Sequence, residues 1–361
     1  MEYKIFLDEL SKRKDKVYSY LGSERFRSMF RPEHIQDSVY SYMKQGGKSL
    51  RPAVLLFSCG AVGGNEENII PAAAAIEVFH TWTIVHDDII DRDLKRRGGL
   101  TVHEEFRQKA LNELGYNQDE AVHYGISIAM LAGDMQQGWA VSMLTELADE
   151  KDIDPRLVLY LINDSEMRVQ SMLIEGQVLD IQYSKLPVES LVEEQILDML
   201  WKKTGVLYEF ASRSGAMLGI NKVEPENKLV KAVSSFASKC GIAFQLQDDI
   251  LGIVGDEQLL GKPVGSDIRE GKRTVILHKS FKNANGRDKD KLRSIFGNED
   301  SDIHDIEQAK KLLRDLGGIE YTKELAMGYV KEALEHLSIL PSSKYKDLLS
   351  FWAEYMIERE F

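Results

Sequence analysis

Three aspartates, Asp87, Asp88 and Asp91, close an apolar stretch of the sequence. On a helix, residues four apart share one face and adjacent residues lie about 100° apart around the axis, so these carboxylates project from one patch. Without a cation, two unit charges 4 Å apart repel each other by roughly 4 kcal/mol at an effective dielectric of 20. Mg²⁺ prefers oxygen ligands and also binds phosphate. The pattern therefore predicts a magnesium site for a phosphorylated substrate. An exposed acidic turn is the alternative, and the apolar residues 76–85 argue against it.

A second acidic pair, Asp248 and Asp249, also ends an apolar helical pattern. One such pair is weak evidence for a metal site. Two acidic motifs on buried helices predict facing carboxylate walls around a site with several metal ions and a phosphate group.

Basic residues stand close to these acids in sequence. KRRGG at residues 95–99 follows the first acidic motif, and an arginine there can bind a phosphate with two parallel hydrogen bonds. GGKSLRP at 46–52 resembles a nucleotide-binding P-loop, but Tyr42 occupies the position of the required glycine. Lys48 and Arg51 remain as candidate anion ligands, and the loop that ends in GKPVGSD and GKRT adds Lys262 and Lys272.

Helical periodicity dominates the chain and alternating strand patterns are nearly absent, which predicts an all-α protein. The apolar positions 230, 233, 236, 237, 240 and 243 follow one helix face, whereas the stretch 71–91 is apolar almost all round, as in a buried helix. Loops are expected near 92–101, 115–120, 184–190, 221–226, 255–273 and 282–303.

Composition excludes several functional classes. The chain has 361 residues, 43% of them hydrophobic, and a net charge of −12, which argues against nucleic acid as a partner. Only two cysteines occur, Cys59 and Cys240, so neither a disulfide framework nor a CxxC metal site is expected. With no signal peptide and no run long enough for a transmembrane segment, a cytoplasmic location is predicted.

The motifs taken in order resemble the trans-isoprenyl diphosphate synthase (polyprenyl synthetase) family, in its archaeal short-chain form. They are GGKSLRP, HTWTIVHDDIID with RRGG, LAGD, GQVLD, KTG, FQLQDD and GKPVGSD with GKRT, and they span residues 46–274. The resemblance implies one domain over 1–361, with its motif-bearing core at 46–274 and C-terminal helices at 304–361. It also implies a helical bundle around a deep central cavity, and a homodimer.

The family's activity is the magnesium-dependent, head-to-tail condensation of isopentenyl diphosphate with an allylic diphosphate. The resemblance predicts geranylgeranyl diphosphate as the product, with farnesyl diphosphate as the near alternative. Since the departing diphosphate gains negative charge, metal ions and basic side chains stabilise it. The carbocation that remains requires a dry, apolar cavity.

Roles follow by position in the motifs. The metal ligands, predicted to hold three Mg²⁺, are Asp87, Asp88, Asp91, Asp248 and Asp249. The allylic diphosphate ligands are Arg96, Lys203, Thr204, Gln245, Lys262 and Lys272. The isopentenyl diphosphate ligands are Gly47, Lys48, Arg51, His80 and Arg97. The residues expected to be catalytic are Asp87, Asp88, Asp91, Lys203, Asp248 and Lys262.

One position departs from the family pattern. Gly252 stands where the second motif commonly has a third aspartate, so this motif should depend on Asp248 and Asp249. Product length is expected to be set by Trp82 and Phe79, five and eight residues before Asp87, because they lie one and two turns earlier on the same helix. The alternative is that they are ordinary core aromatics.

Three other functions share parts of this pattern. A class I terpene cyclase shares the metal chemistry but needs no second anion site such as Lys48, Arg51 and Arg97. A non-catalytic partner subunit typically lacks aspartates of the first motif. His86 and Asp87 form the HD pair of metal phosphohydrolases, but further spaced ligands for that chemistry are not evident, so His86 is expected to be structural.

Overall fold

The computed structural model describes residues 2–150, 152–254, 265–298 and 300–358. In these ranges helices account for nearly all regular structure, and one short hairpin, β1 (Lys95–Arg96) with β2 (Gly99–Leu100), is the only sheet. The all-α prediction is confirmed.

The described residues group into two compact units, Met1–Ile162 with Ser214–Pro225, and Asn163–Arg213 with Glu226–Phe361. The single-domain assignment of the sequence stays a prediction. The helices of the chain up to the first boundary are α1 (Glu2–Leu21), α2 (Glu24–Arg27), α3 (Glu33–Gln45), α4 (Leu50–Ala61), α5 (Ile70–Ile90), α6 (Val102–Glu113), α7 (Gln118–Glu150) and α8 (Pro155–Asn163).

The remaining helices are α9 (Gln170–Ser184), α10 (Glu193–Leu200), α11 (Val206–Ile220), α12 (Lys228–Val254), α13 (Ser266–Glu270), α14 (Val275–Asn283), α15 (Gly286–Ile295), α16 (Ile303–Asp315), α17 (Gly318–His336) and α18 (Lys344–Glu358). Two wide π-helical segments, Asp164–Val169 and Trp201–Gly205, precede α9 and α11. Short 3₁₀ turns lie at Glu66–Ile69, Val188–Ser190 and Leu337–Ile339.

In the first unit, α5 is the central helix and packs against α1, α4 and α7. Pro71 lies in its first turn, where a missing N–H costs no hydrogen bond, and alanines 72–75 favour the helix. Side chains are buried all around its axis, which confirms the reading of this stretch as a core helix. The helical stretch Glu66–Ile90 is long and apolar enough to cross a membrane, but 78% of its most apolar window is buried inside the protein, as is typical of a core helix.

In the second unit, α12 packs against α17, α18 and the segment Trp201–Gly205. The predicted apolar face of α12 is buried, including Val233, Phe236 and Cys240. Both cysteines are free and buried, as expected.

The expected loop at 282–303 is wrong in its middle, which forms helix α15. The Asn285 side chain accepts a hydrogen bond from the Asp288 N–H and caps the helix. Only Leu292 and Ile295 bury apolar surface there, so the charged sequence conceals the helical period.

Candidate active site

The first acidic motif occupies the last turn of α5. Asp91 is the C-cap residue, and Arg92 follows with φ of 57°. The N–H of Asp93 bonds to the carbonyl of Asp88 at 3.0 Å and that of Arg92 to the carbonyl of Ile89 at 3.3 Å, which is a Schellman motif. A helix C-terminus carries partial negative charge, so carboxylates there are disfavoured unless a cation is present. The position of these aspartates at a helix C-terminus therefore also favours a bound cation.

Asp88 is fully buried and is held from two sides. The Tyr42 hydroxyl donates to its Oδ2, and Nε of Arg96 lies 2.6 and 2.9 Å from its two oxygens. Burial raises the pKa of Asp88, although Arg96 and Tyr42 oppose that effect. Burial also lowers the pKa of Arg96, but the Asp88 charge outweighs it and the net pKa is raised. Asp87 and Asp91 are only partly buried, so they are better placed than Asp88 to reach an ion.

The RRGG sequence forms the tight β1–β2 hairpin rather than an open loop. Its two turn residues, Arg97 and Gly98, have φ of 52° and 78°, the positive values that a two-residue type I′ turn needs. Arg96 points to Asp88, whereas Arg97 donates to the carbonyl of Gly46 and lies over Gly47. A Cβ at Gly47 would lie 2.8 Å from the Arg97 guanidinium, so the glycine permits this contact. The two consecutive arginines therefore serve two different motifs.

Arg51 and His80 form another predicted pair. Nη1 of Arg51 lies 2.9 Å from Nε2 of His80, and burial followed by the nearby arginines lowers the pKa of His80 well below its ordinary value. A neutral imidazole can accept the arginine proton at Nε2, which leaves Nδ1 protonated. Lys48 is exposed beside them in sequence.

Glu77, which the sequence analysis did not assign to the site, anchors the turn between these residues. It is buried on α5 and accepts hydrogen bonds from Ser49 and Tyr18, each at 3.0 Å. Ser49 has φ of 49°, and its bond to Glu77 fixes this left-handed residue between Lys48 and Arg51.

In the second unit, the GQVLD and KTG motifs meet. Nζ of Lys203 donates to Asp180 at 2.5 Å, and a Cβ at Gly176 would lie 2.4 Å from the backbone nitrogen of Lys203. The missing side chain lets α9 approach the π-helical segment closely. Lys203 and Thr204 lie within that segment, and such wide turns often occur at functional sites.

A chain of hydrogen bonds continues from KTG to the second acidic motif. Thr204 Oγ1 donates to Gln245 Oε1 at 2.9 Å, and Gln245 Nε2 donates to Asp249 Oδ1 at 3.0 Å. Oδ2 of Asp249 has no hydrogen-bond partner among the described residues. Burial, followed by the charge of Asp267, raises the pKa of Asp249 to about 8. Asp248 is partly buried, so both acidic motifs pair a reachable aspartate with a buried one.

The donor set fits magnesium. Each unit by itself offers carboxylate oxygens, Asp87 and Asp91 in the first and Asp248 and Asp249 in the second, and a cation would stabilise the unpartnered Oδ2 of Asp249. Across the described ranges no three His, Cys, Asp or Glu side chains converge closely enough to hold a metal alone. An ion here must complete its shell with water and substrate oxygens, which is the usual habit of Mg²⁺.

The aromatic side chains before the first motif lie in contact. The rings of Phe79 and Trp82 are 5.0 Å apart and those of Trp82 and His86 are 5.9 Å apart. Both Phe79 and Trp82 are buried. Nε2 of His86 lies 3.4 Å from the carbonyl oxygen of Met130. A Cβ at Gly133 would lie 2.2 Å from the same His86 nitrogen. His86 thus packs against α7.

Of the predicted lysines in the glycine-rich loop, Lys262 lies outside the described residues. Lys272 pairs with Asp267 at 3.1 Å and Glu270 at 3.0 Å. Sequence reasoning gave no role to Tyr42 or Asp267. Asp267 ends the GKPVGSD motif, but only its spatial neighbours give it a role. No residue pattern around Tyr42 indicates a contact with the acidic motif.

Comparison with known proteins decides the family. The polyprenyl synthetase family model matches residues 32–313. This chain belongs to the polyprenyl synthetase family. As a member it is a magnesium-dependent prenyltransferase, as the motifs predicted.

Individual relatives cover almost the whole chain. A geranylgeranyl diphosphate synthase of Methanosarcina mazei is 34% identical over 98% of each chain. A geranylfarnesyl diphosphate synthase of Aeropyrum pernix is 33% identical over 91% of this chain and 95% of its own. The solved geranylgeranyl pyrophosphate synthase of Corynebacterium glutamicum, in complex with isoprenyl diphosphate and magnesium, is 27% identical with a TM-score of 0.81 over 99% of each chain.

Proposed function

We propose that this prenyltransferase joins isopentenyl diphosphate to an allylic diphosphate, head to tail and in the trans configuration, and releases geranylgeranyl diphosphate. The observation that carries the proposal is that the two consecutive arginines of the β1–β2 hairpin point to two different motifs. Arg96 lies at the acidic motif, and Arg97 lies at Gly47 with Arg51 and His80 as the further predicted isopentenyl ligands. Two separate cationic positions in one unit suit two diphosphates, whereas a cyclase binds only one.

The allylic diphosphate is assigned to the acidic motifs. Asp87, Asp91, Asp248 and Asp249 are the proposed direct ligands of three Mg²⁺, and Asp88, which the motif also predicted as a ligand, is proposed to position Arg96 instead. Bound Mg²⁺ would neutralise the leaving diphosphate. Lys203, which donates to Asp180 at 2.5 Å, is proposed to donate to that diphosphate as charge develops on it.

The isopentenyl diphosphate is assigned to Gly47, Lys48, Arg51, His80 and Arg97. Because the lowered pKa keeps the partly buried His80 neutral, its protonated Nδ1 can donate to a phosphate oxygen while Nε2 accepts from Arg51. The double bond of this substrate attacks carbon one of the allylic cation, and a proton leaves the new chain for the departed diphosphate.

Chain length is assigned to the pair Phe79 and Trp82. Two large buried rings one and two turns before Asp87 would stop a growing chain early. This favours a twenty-carbon product over longer chains, with the fifteen-carbon product as the alternative.

A homodimer is proposed as the assembly. Helix α7 exposes Met130, Leu131 and Met135, with 53%, 50% and 41% of their surface accessible. Apolar side chains gathered on one helix face are suited to a partner. Light scattering should give twice the 41.0 kDa chain mass, and a monomer would contradict this assignment. The predicted cytoplasmic location stays a prediction.

Labelled isopentenyl diphosphate, supplied with dimethylallyl, geranyl or farnesyl diphosphate and Mg²⁺, tests the activity. Sizing the dephosphorylated products should give mainly twenty carbons. Fifteen or twenty-five carbons would keep the reaction and change the product. No elongation from any starter would contradict the proposed function.

A further inference from the structure

The N-terminal helix α1 is anchored to the first unit by a buried ion pair and an apolar face. Arg13 is 3% exposed, and its guanidinium donates to both carboxylate oxygens of Glu66, each at 2.8 Å. Phe6, Val17 and Leu21 of the same helix are buried. A bidentate arginine–carboxylate pair fixes geometry as well as contributing energy, so the other side chains of α1 lie against defined neighbours.

One of these neighbours is the turn of the GGKSLRP motif. The Tyr18 hydroxyl donates to Oε1 of Glu77 at 3.0 Å, and the Ser49 hydroxyl donates to the same oxygen at 3.0 Å. Burial, followed by the charge of Glu77, raises the pKa of Tyr18, so the phenol keeps its proton and remains a donor. Helix α1 and the turn that carries Lys48 and Arg51 therefore share one buried carboxylate.

Lys14 brings a positive charge from α1 to this turn. It precedes Tyr18 by four residues, so the two side chains share a helix face. Nζ of Lys14 lies 3.7 Å from the place that a Cβ at Gly46 would take, and the carbonyl of the same glycine accepts a hydrogen bond from Arg97. Two cations brought to one residue repel each other, and a bound diphosphate would remove that repulsion.

Lys14 also differs from the other lysines near it on α1. Lys12 and Lys16 each pair with a glutamate. Lys14 is partly buried, yet it forms no ion pair or hydrogen bond with any residue that the structure describes. Its Nζ lies 5.6 Å from the centre of the Tyr18 ring, a contact that leaves the N–H donors of the ammonium group available.

We propose that Lys14 binds a phosphate oxygen of isopentenyl diphosphate at the GGKSLRP turn. The inference rests on the proposed function, since it adds a ligand to the site assigned to that substrate. Helix α1 ends before residue 32, where the match to the family model begins, so the family motifs do not specify this ligand. The alternative role for Lys14 is packing on the Tyr18 ring alone.

Kinetics distinguish these two roles. Isopentenyl diphosphate keeps its diphosphate throughout the reaction, so a lysine bound to it makes the same contact before and during bond formation. Lys14→Met removes the charge and keeps a long apolar side chain. We expect it to raise KM for isopentenyl diphosphate about tenfold, and to change kcat and KM for the allylic diphosphate less than about threefold. Lys14→Arg keeps the charge and should stay within about threefold of the wild type.

Lys12→Met is the matched control, because Lys12 lies on the same helix and bonds to Glu9 at 2.6 Å. Its KM for isopentenyl diphosphate should stay within about twofold of the wild type. Calorimetric titration of isopentenyl diphosphate into each full-length protein, without an allylic substrate, measures Kd independently of turnover. This Kd should also rise about tenfold in Lys14→Met. Should Lys14→Met unfold, as judged by circular dichroism, Lys14→Gln replaces it in both measurements.

Three outcomes would overturn the inference: unchanged KM and Kd in the folded uncharged variant, no recovery in Lys14→Arg, or an equal rise of KM for both diphosphates. The wild-type elongation assay is read separately. Normal elongation by the wild type, together with an unchanged Lys14 variant, would reject this inference alone. A wild type that elongates no starter would reject the proposed function and, with it, this inference.

Discussion

The hydroxyl of Tyr42 donates a hydrogen bond to Oδ2 of Asp88, and so joins the helix before the GGKSLRP motif to the first acidic motif. The hydroxyl oxygen of Tyr42 in turn accepts a hydrogen bond from the Val102 N–H at 3.2 Å, which orients the phenol. Tyr42 is 1% exposed, so solvent cannot replace this contact. The relationship makes Tyr42 a positioning residue for the acidic motif.

Replacing Tyr42 by phenylalanine should lower kcat/KM about tenfold, because Asp88 loses a donor and Arg96 is less firmly held. This loss equals about 1.4 kcal/mol, close to the lower end of the usual range for a hydrogen bond to a charged group. Steady-state kinetics at several Mg²⁺ concentrations measure it. Tyr40→Phe is the control, since that buried phenol bonds only to the Leu21 carbonyl in the described structure. Equal effects in both variants would argue against a positioning role.

The adjacent aspartates of the first motif should respond differently to the same change. Asp87→Asn should raise the Mg²⁺ concentration for half-maximal activity about tenfold or more, because a proposed ligand is lost. Asp88→Asn should change that concentration less than about threefold but reduce the free energy of unfolding by roughly 2 to 4 kcal/mol, since Arg96 loses its buried partner. Metal-dependent kinetics and urea unfolding separate the two roles. A larger metal effect in Asp88→Asn would reverse the assignment.

Trp82→Ala should lengthen the product by at least one five-carbon unit, because it removes one of the two rings that are proposed to stop the growing chain. Chromatography of the dephosphorylated products measures the change. Val78→Ala also removes apolar volume from a fully buried position on α5, but it leaves the contact between the Phe79 and Trp82 rings intact and should leave the product unchanged. An unchanged distribution in Trp82→Ala would make Trp82 an ordinary core residue.

His80 should resist protonation in the folded protein. Folding lowers the pKa of His80. The neutral side chain therefore contributes fully to the free energy of unfolding above the unfolded pKa near 6.5, and this contribution is lost as the pH falls below it. Between pH 7.5 and 5.5 the free energy of unfolding should fall more for the wild type than for His80→Gln, because only the unfolded wild type gains a proton on this side chain. Histidine-selective NMR gives an independent check, because the pKa of the folded His80 should lie well below that of a free histidine. A normal titration near pH 6.5 would contradict the neutral assignment.

The sequence by itself determined the helical class, the two acidic motifs and the order of the basic motifs. Helical period and local charge are written in neighbouring residues, so Asp87 and Asp248 were visible without coordinates. It did not show which aspartate of a pair is buried, because burial depends on segments far apart in the chain.

Only the tertiary structure decided the contacts between motifs. Tyr42 contacts Asp88 across 46 positions of the sequence, and Asp267 lies against Gly252 near the end of α12. Such contacts come from packing and backbone direction, which residue types alone do not specify. For the same physical reason, Gly252 reads in the sequence as a missing acid and in the structure as the space that Asp267 occupies.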